Sequence, residues 1–232
     1  MKTTLITGAN RGIGLEFSRQ YAASGWRVLA CARHPETSTA LNELAAQYPG
    51  RIQVWQLDVE DQAGIEKLSS ALADASIDLL INNAGVYSDN DAKGFSHTDY
   101  DEWARVFRIN TMAPLRMAEA FSAQVARSDL KTIVAISSIM GSISDNSSGG
   151  NYLYRSSKAA LNMVVKSLAI DLKANGITSV VFHPGWVRTD MGGPNAAITA
   201  EQSVTGMRQV IADLRLSDSG KFLDYTGREI PW

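Results

Sequence analysis

Cysteine is almost absent: Cys31 is the one thiol in 232 residues. A single cysteine forms no internal disulfide, and its place in an apolar run predicts a buried thiol in a reducing compartment. Histidine is scarce too. No His/Cys/Asp set built on His34, His97 or His183 has metal-ligand spacing, so no metal is expected. Excess charge is missing: 22 basic against 24 acidic residues leave a net charge of −2. Such a surface draws in neither nucleic acid nor an anionic membrane. No apolar run is long enough to span a bilayer, and Met1-Lys2-Thr3-Thr4 runs straight into a strand pattern with no signal-peptide core. No low-complexity tract, Pro/Ser linker or short repeat divides the chain. These absences predict a soluble cytoplasmic protein, with neither nucleic acid nor membrane as partner, folded as one domain over 1–232.

What the chain does have is alternation. Strand-like runs at 2–7, 27–32, 52–57, 77–82, 132–137, 179–183 and 220–225 alternate with helical patterns at 12–24, 36–48, 61–74, 98–127, 152–174 and 199–214. Strands separated by helices make a parallel sheet covered on both faces. Right-handed crossovers make it doubly wound. The expected fold is therefore α/β: a single-domain, doubly wound, Rossmann-like parallel sheet of about seven strands. Ligands of such sheets sit beyond the strand C-terminal ends. Every motif below falls there or on the helix that follows.

Thr7-Gly8-Ala9-Asn10-Arg11-Gly12-Ile13-Gly14 joins the first strand to the first helix. Glycine lets the backbone turn tightly and approach a phosphate. The helix start adds free N–H groups and a positive dipole end. The spacing is T-G-x-x-x-G-x-G rather than G-x-G-x-x-G, and an ordinary tight turn can share it. The second strand ends Cys31-Ala32-Arg33-His34, without the carboxylate that would hold ribose hydroxyls. Arg33 can instead fork onto a 2′-phosphate, with Arg11 as a second cation beside it. That pair favours NADP over NAD, unless both arginines are solvated surface groups. Asp58 and Val59 end the third strand and can meet an adenine; Asp58 serves equally well as a turn residue. The fourth strand ends Asn82-Asn83-Ala84-Gly85. Buried amides demand partners, which a polar clamp between cofactor-side strands would supply. Ala84 and Gly85 leave room for the backbone to pass a ribose.

The chemistry centres on Tyr154-Arg155-Ser156-Ser157-Lys158. Tyr154 and Lys158 are one helical turn apart and share a face. Leu161, Val165, Leu168 and Leu172 continue that face toward the sheet. A cation beside a phenol lowers its pKa. Such a tyrosine can protonate a carbonyl oxygen or deprotonate an alcohol, although a snorkelling lysine beside a packed tyrosine gives the same pattern. Tyr152 has Ser156 at the equivalent spacing and lacks the cation. Ser137 and Ser138 end the fifth strand; alternation sends one hydroxyl into the pocket, and the strand alone does not say which. Pro114 has no N–H for the Asn110 carbonyl, which is thus free to hold a water, or else simply marks a kink.

Taken together, Thr7-Gly8-x-x-x-Gly12-x-Gly14, Asn82-Asn83-Ala84-Gly85, Asn110, Ser138, Tyr154-x-x-x-Lys158 and Pro184-Gly185-x-x-x-Thr189 resemble the short-chain dehydrogenase/reductase family, in family order and over nearly the whole chain. The segments 10–15 and 183–191 and the tail Tyr225-x-Gly227-x-x-Ile230-Pro231-Trp232 look like its C-factor and sniffer-type carbonyl reductases. The resemblance implies NAD(P)-dependent oxidoreduction of carbonyls and alcohols. It implies a tetrad of Asn110, Ser138, Tyr154 and Lys158, with the second serine catalytic and a water on Asn110 linked to Lys158. It also implies that the Val187 backbone and Thr189 hydroxyl hold the nicotinamide carboxamide after Pro184-Gly185. The gap from Ser138 to Tyr154 is longer than is usual in the family, with the extra length in Ser144 to Asn151. A loop there reshapes the pocket rim.

Small residues between Met191 and Thr199 predict a substrate lid at about 190–215. Tyr87, Met140, Ile143, Trp186 and Met191 can wall the pocket with apolar surface, which favours an uncharged carbonyl or alcohol substrate, although ordinary packing explains each singly. His183 reads as structural. Met112, Leu115, Phe121 and Val125, with Trp103 and Phe107, put apolar residues on more than one helix face. The family's pairing through these helices implies a homodimer or homotetramer.

Overall fold

The computed structural model describes residues 1–88 and 95–232. Seven strands, β1 (Thr3–Thr7), β2 (Arg27–Ala32), β3 (Ile52–Gln56), β4 (Leu79–Asn82), β5 (Thr132–Ile136), β6 (Thr178–His183) and β7 (Phe222–Asp224), form one sheet in the order β3-β2-β1-β4-β5-β6-β7. All neighbours are parallel. The winding reverses between β1 and β4, so the ends of those strands part and leave a crevice.

Period-two alternation splits the core cleanly. Ile6, Val28, Ile81, Val134 and Phe182 face α1 (Gly12–Ala23), α2 (Thr39–Gln47) and α7 (Ala200–Asp213), against Phe17, Leu41 and Met207. Their neighbours Leu5, Leu29, Leu80 and Ile133 face α3 (Gln62–Ala71), α5 (Ala113–Ala126) and α6 (Tyr152–Asp171), against Ile65, Phe121 and Leu168. Burying both faces is what makes the strands read as near-continuous apolar runs. Cys31 lies inside this core, and burial pushes its thiol up to about 12.

Two expectations are corrected. The helical pattern at 98–127 is not one helix. It divides into α4 (Tyr100–Phe107), a π-helical turn at Arg108–Met112, and α5. The cause is Pro114, whose missing N–H leaves the Asn110 carbonyl without its helical donor. The chain widens there, and the Ala113 N–H reaches back to the Arg108 carbonyl instead. The lid expected over about 190–215 cannot include α7, because Val204, Met207 and Ile211 are core residues. Gln20 of α1 donates to the Thr205 hydroxyl at 3.1 Å, and Arg208 donates back to Gln20 at 3.0 Å. A capping box of Thr199 and Gln202 fixes where this helix begins. No helix among the described residues is long and apolar enough to cross a membrane.

Candidate active site

The crevice is a cleft of about 640 Å³ running over the C-terminal ends of β1, β2, β4, β5 and β6. Its size is that of a small-molecule or cofactor site. Gly8, Asn10, Arg11, Gly12 and Ile13 line one wall. Arg33, Asp58 and Val59 line one end, and Asn83, Ala84 and Gly85 the middle. Tyr154, Lys158, Pro184, Thr189 and Met191 complete it. Of the other expected residues, Gly14, Asn110, Ser138, Gly185 and Val187 stand behind this lining.

The glycine turn is built for close approach. Gly8 (φ +66°) and Gly12 (φ +54°) are left-handed. Gly14 is required for space alone: a Cβ there would lie 2.2 Å from the Gly8 carbonyl oxygen. Asn83 knots the turn to β4, its Nδ2 donating to the carbonyls of Thr7 (2.9 Å) and Gly8 (3.1 Å). The Thr7 hydroxyl accepts from the backbone N–H groups of Asn83 and Ala84, both at 3.0 Å. The expected clamp therefore exists, with Asn83 as its centre, while Asn82 reaches the Pro114 carbonyl at 3.5 Å. No side chain caps α1, so its first N–H groups stay available to an anion. The turn fits a dinucleotide diphosphate.

The two arginines part company. Arg33 is exposed at the cleft end, near His34, Thr37 and Ser38. Arg11 does not stand free beside it. Its guanidinium is 2.6 Å from the Asp190 carboxylate, across the cleft mouth, with both side chains largely exposed. Asp58 takes the turn role, accepting from the Glu60 N–H at 3.0 Å.

Deeper in, Tyr154 and Lys158 project from the first turns of α6, both buried. The Lys158 ammonium donates to the Ile136 carbonyl at 2.9 Å and lies 5.6 Å from the Tyr154 ring centroid. Ser138 hydrogen-bonds the Tyr154 hydroxyl. Ser137 turns the other way, donating to Asn162 Oδ1 at 2.7 Å. The strand's alternation is thus resolved with Ser138 toward the tyrosine. Burial pushes Tyr154 up to about 12; the Ser138 hydrogen bond lowers it and nearby Tyr87 raises it. Burial holds Lys158 down to about 8. The expectation of a phenol acidified by Lys158 is not met: both side chains are buried and the ammonium donates to the Ile136 carbonyl, so desolvation dominates.

Asn110 is fully buried on the π-helical turn. Its Oδ1 accepts from the Val86 N–H and its Nδ2 donates to the Val86 carbonyl, each at 2.9 Å. Nδ2 also donates to the Ser157 hydroxyl at 3.0 Å. Gly85 fits between: a Cβ would meet Asn110 Oδ1 at 3.3 Å and Lys158 Nζ at 3.5 Å.

After β6, the left-handed Gly185 packs on Ile198 and Tyr225. Val187 pairs with Ile198. The Thr189 hydroxyl donates to the Val187 carbonyl at 3.4 Å and accepts from the Gly192 N–H at 3.2 Å. Burial holds His183 down to about 4, opposed by Asp224. It is therefore neutral at pH 7, in keeping with a structural residue. Among the described residues no group of three or more His, Cys, Asp or Glu could hold a metal ion.

Sequence reading missed two supports, Asn162 and Gly141, and gave a third, Tyr87, only as pocket wall. Asn162 donates to the Gly141 carbonyl at 3.2 Å while accepting from Ser137. Gly141 lies so close to Lys158 that a Cβ would meet its backbone at 2.8 Å. Tyr87 stacks edge-on against Tyr154. Asn162 had a readable signal, an amide on the apolar stripe of α6 between Leu161 and Val165.

Residues 2–199 match the model of the short chain dehydrogenases. The chain is similar to the C-signal of Myxococcus xanthus, 47% identical over 156 residues, which is 67% of this chain and 93% of that protein. Its structure is similar to that of an NADPH-bound carbonyl reductase from chicken fatty liver, with a TM-score of 0.93 and 34% identity over 100% of this chain and 99% of the other. It is also similar to the carbonyl reductase Sniffer of D. melanogaster, with a TM-score of 0.90 and 31% identity over 100% of both chains.

Proposed function

The chain belongs to the short-chain dehydrogenase family, and from that premise we propose that it is an NADPH-dependent carbonyl reductase, reducing an uncharged aldehyde or ketone to the alcohol or running the reverse. The observation that carries this reading is the buried pair Tyr154 and Lys158 lining one end of a cleft of about 640 Å³, with the buried Ser138 bonded to the Tyr154 hydroxyl. Arg33 takes a 2′-phosphate at the other end, and the uncapped start of α1 takes the diphosphate. Asp58 and Val59 meet the adenine. Pro184, Gly185, the Val187 backbone and Thr189 hold the nicotinamide. When bound, that ring supplies the hydride. Tyr154, protonated at pH 7, donates its proton to the carbonyl oxygen. Ser138 bonds the same oxygen and steadies its developing charge. Lys158 holds the ribose, and a water on the Asn110 carbonyl resupplies protons to it. The expected setting is the cytoplasm, with the protein a homodimer or homotetramer.

The test is consumption of NADPH, followed at 340 nm, over a panel of uncharged aldehydes and ketones. We expect turnover on at least one of them. The likeness to C-signal favours a second reading, a cofactor-binding signalling protein with little or no turnover. Tight NADPH binding with no consumption across the panel selects it.

A further inference from the structure

Tyr87 does no chemistry in the scheme above, yet it is held from two sides and presses on the residue that does. On one side, Asn110 grips the backbone of Val86 through both its N–H and its carbonyl. The adjoining Tyr87 backbone is thereby fixed to the π-helical turn. On the other side, the Tyr87 hydroxyl donates to Asn151 Oδ1 at 2.6 Å. Asn151 ends the stretch Ser144 to Asn151 and sits in the left-handed region (φ +49°, ψ +44°). Gly149 and Gly150 before it are left-handed as well. A non-glycine residue is uncommon there and persists where its surroundings fix it. Its carbonyl accepts the Arg155 N–H at 2.9 Å, which starts α6. Between these anchors the Tyr87 ring meets the Tyr154 ring edge-on, with centroids 5.0 Å apart and planes at 69°. That is a favoured aromatic geometry.

We propose that Tyr87, latched by Asn151, is a positioning residue that holds the Tyr154 phenol against Ser138 and sets its aim toward a substrate carbonyl. This rests on the carbonyl-reductase reading for its kinetic consequence, though not for the geometry. The logic is one of orientation. Tyr154 is anchored through its backbone on α6, and the place of its hydroxyl follows χ1, a single-bond torsion that its packing neighbours hold. A proton donor turned even slightly from its acceptor loses rate, not affinity. The latch also gives the loop before α6 a function: it carries the acceptor that fixes Tyr87.

The test uses the full-length protein with 4-nitrobenzaldehyde and NADPH. Tyr87→Leu removes the ring; we expect kcat to fall at least tenfold while the NADPH dissociation constant stays within twofold. Tyr87→Phe keeps the ring and loses the latch. It should recover most of that loss and match Asn151→Ala, and the double variant Tyr87→Phe with Asn151→Ala should fall no further. A wild-type kcat in Tyr87→Leu overturns the proposal, as do Phe and Ala effects that multiply. A readout independent of turnover is the ζ-carbon NMR signal of Tyr154 in 13C-tyrosine-labelled protein. Ser138→Ala should shift it in wild type and in Tyr87→Phe, and leave it unmoved in Tyr87→Leu, where the Ser138 bond is already lost. An equal Ser138→Ala shift in Tyr87→Leu contradicts positioning even if no carbonyl is ever reduced.

Discussion

A lysine buried at the root of α6, with no carboxylate partner among the described residues, is an expensive residue for a fold to keep. Burial lowers Lys158 from 10.5 to about 8, while an unfolded lysine keeps its ordinary value. Below pH 8 both states are charged and the folded one bears the full penalty, at most about 3 kcal/mol. Between pH 8 and 10.5 the folded lysine loses its proton first, so stability rises with pH. Lys158→Met should therefore raise the urea midpoint at pH 7, and that advantage should shrink through this window. It should also abolish turnover, the usual exchange of function for stability. A midpoint at pH 7 equal to or below wild type would show that the ammonium's bond to Ile136 outweighs its burial. Gly14→Ala belongs to this scale too. With a Cβ 2.2 Å from the Gly8 carbonyl, the turn must shift, costing about 1–3 kcal/mol and with it NADPH binding. Arg33→Asp should move cofactor preference toward NADH, read as the ratio of the two dissociation constants. An unchanged ratio makes Arg33 bystander surface. At this scale the sequence was most legible where one residue type has one use. The glycines, Tyr154, Lys158 and the Asn83 clamp follow from their chemistry. Arg11 was not legible, because its partner Asp190 is 179 positions away and nothing local announces the pair.

Elements were legible wherever periodicity and caps agree. All seven strands follow the apolar runs to within a few residues, and α7 starts at its capping box. The failure at 98–127 is instructive because its signal, Pro114, was in plain view. A proline four residues past Asn110 allows either a kink or a widened turn, and only the buried partners of Asn110 decide between them. Near the start of α5, by contrast, the same proline is well placed. Pro114→Ala restores the missing N–H and lets α4 and α5 join in register. Asn110 then swings off Val86 and Ser157. We expect kcat to fall more than tenfold with helix content by circular dichroism unchanged. Wild-type kcat would mean that the π-helical turn is held by packing rather than by the proline.

For the molecule as a whole, the sheet order explains why residues from positions 8 to 191 share one cleft. Parallel crossovers bring every strand end to one edge, and the reversal between β1 and β4 opens it. That much is visible in the alternation of patterns. Of the residues read as apolar on more than one helix face, Phe121 and Val125 are fully buried against the sheet. Met112, named in that reading, is exposed, and so are Tyr100, Tyr152, Met163 and Ile170 on these helices. If pairing runs through that surface, Met163→Glu with Ile170→Glu should lower the solution mass to that of one 25.1 kDa chain. An unchanged oligomer places the interface elsewhere. The most direct measurement of the central claim remains a comparison of wild type with Tyr154→Phe on a carbonyl that the wild type reduces. With NADPH affinity held within threefold, the variant should lose roughly 10²–10⁴-fold in kcat, the scale of a missing proton donor. Equal rates in the two proteins would show that this phenol does not carry the reaction.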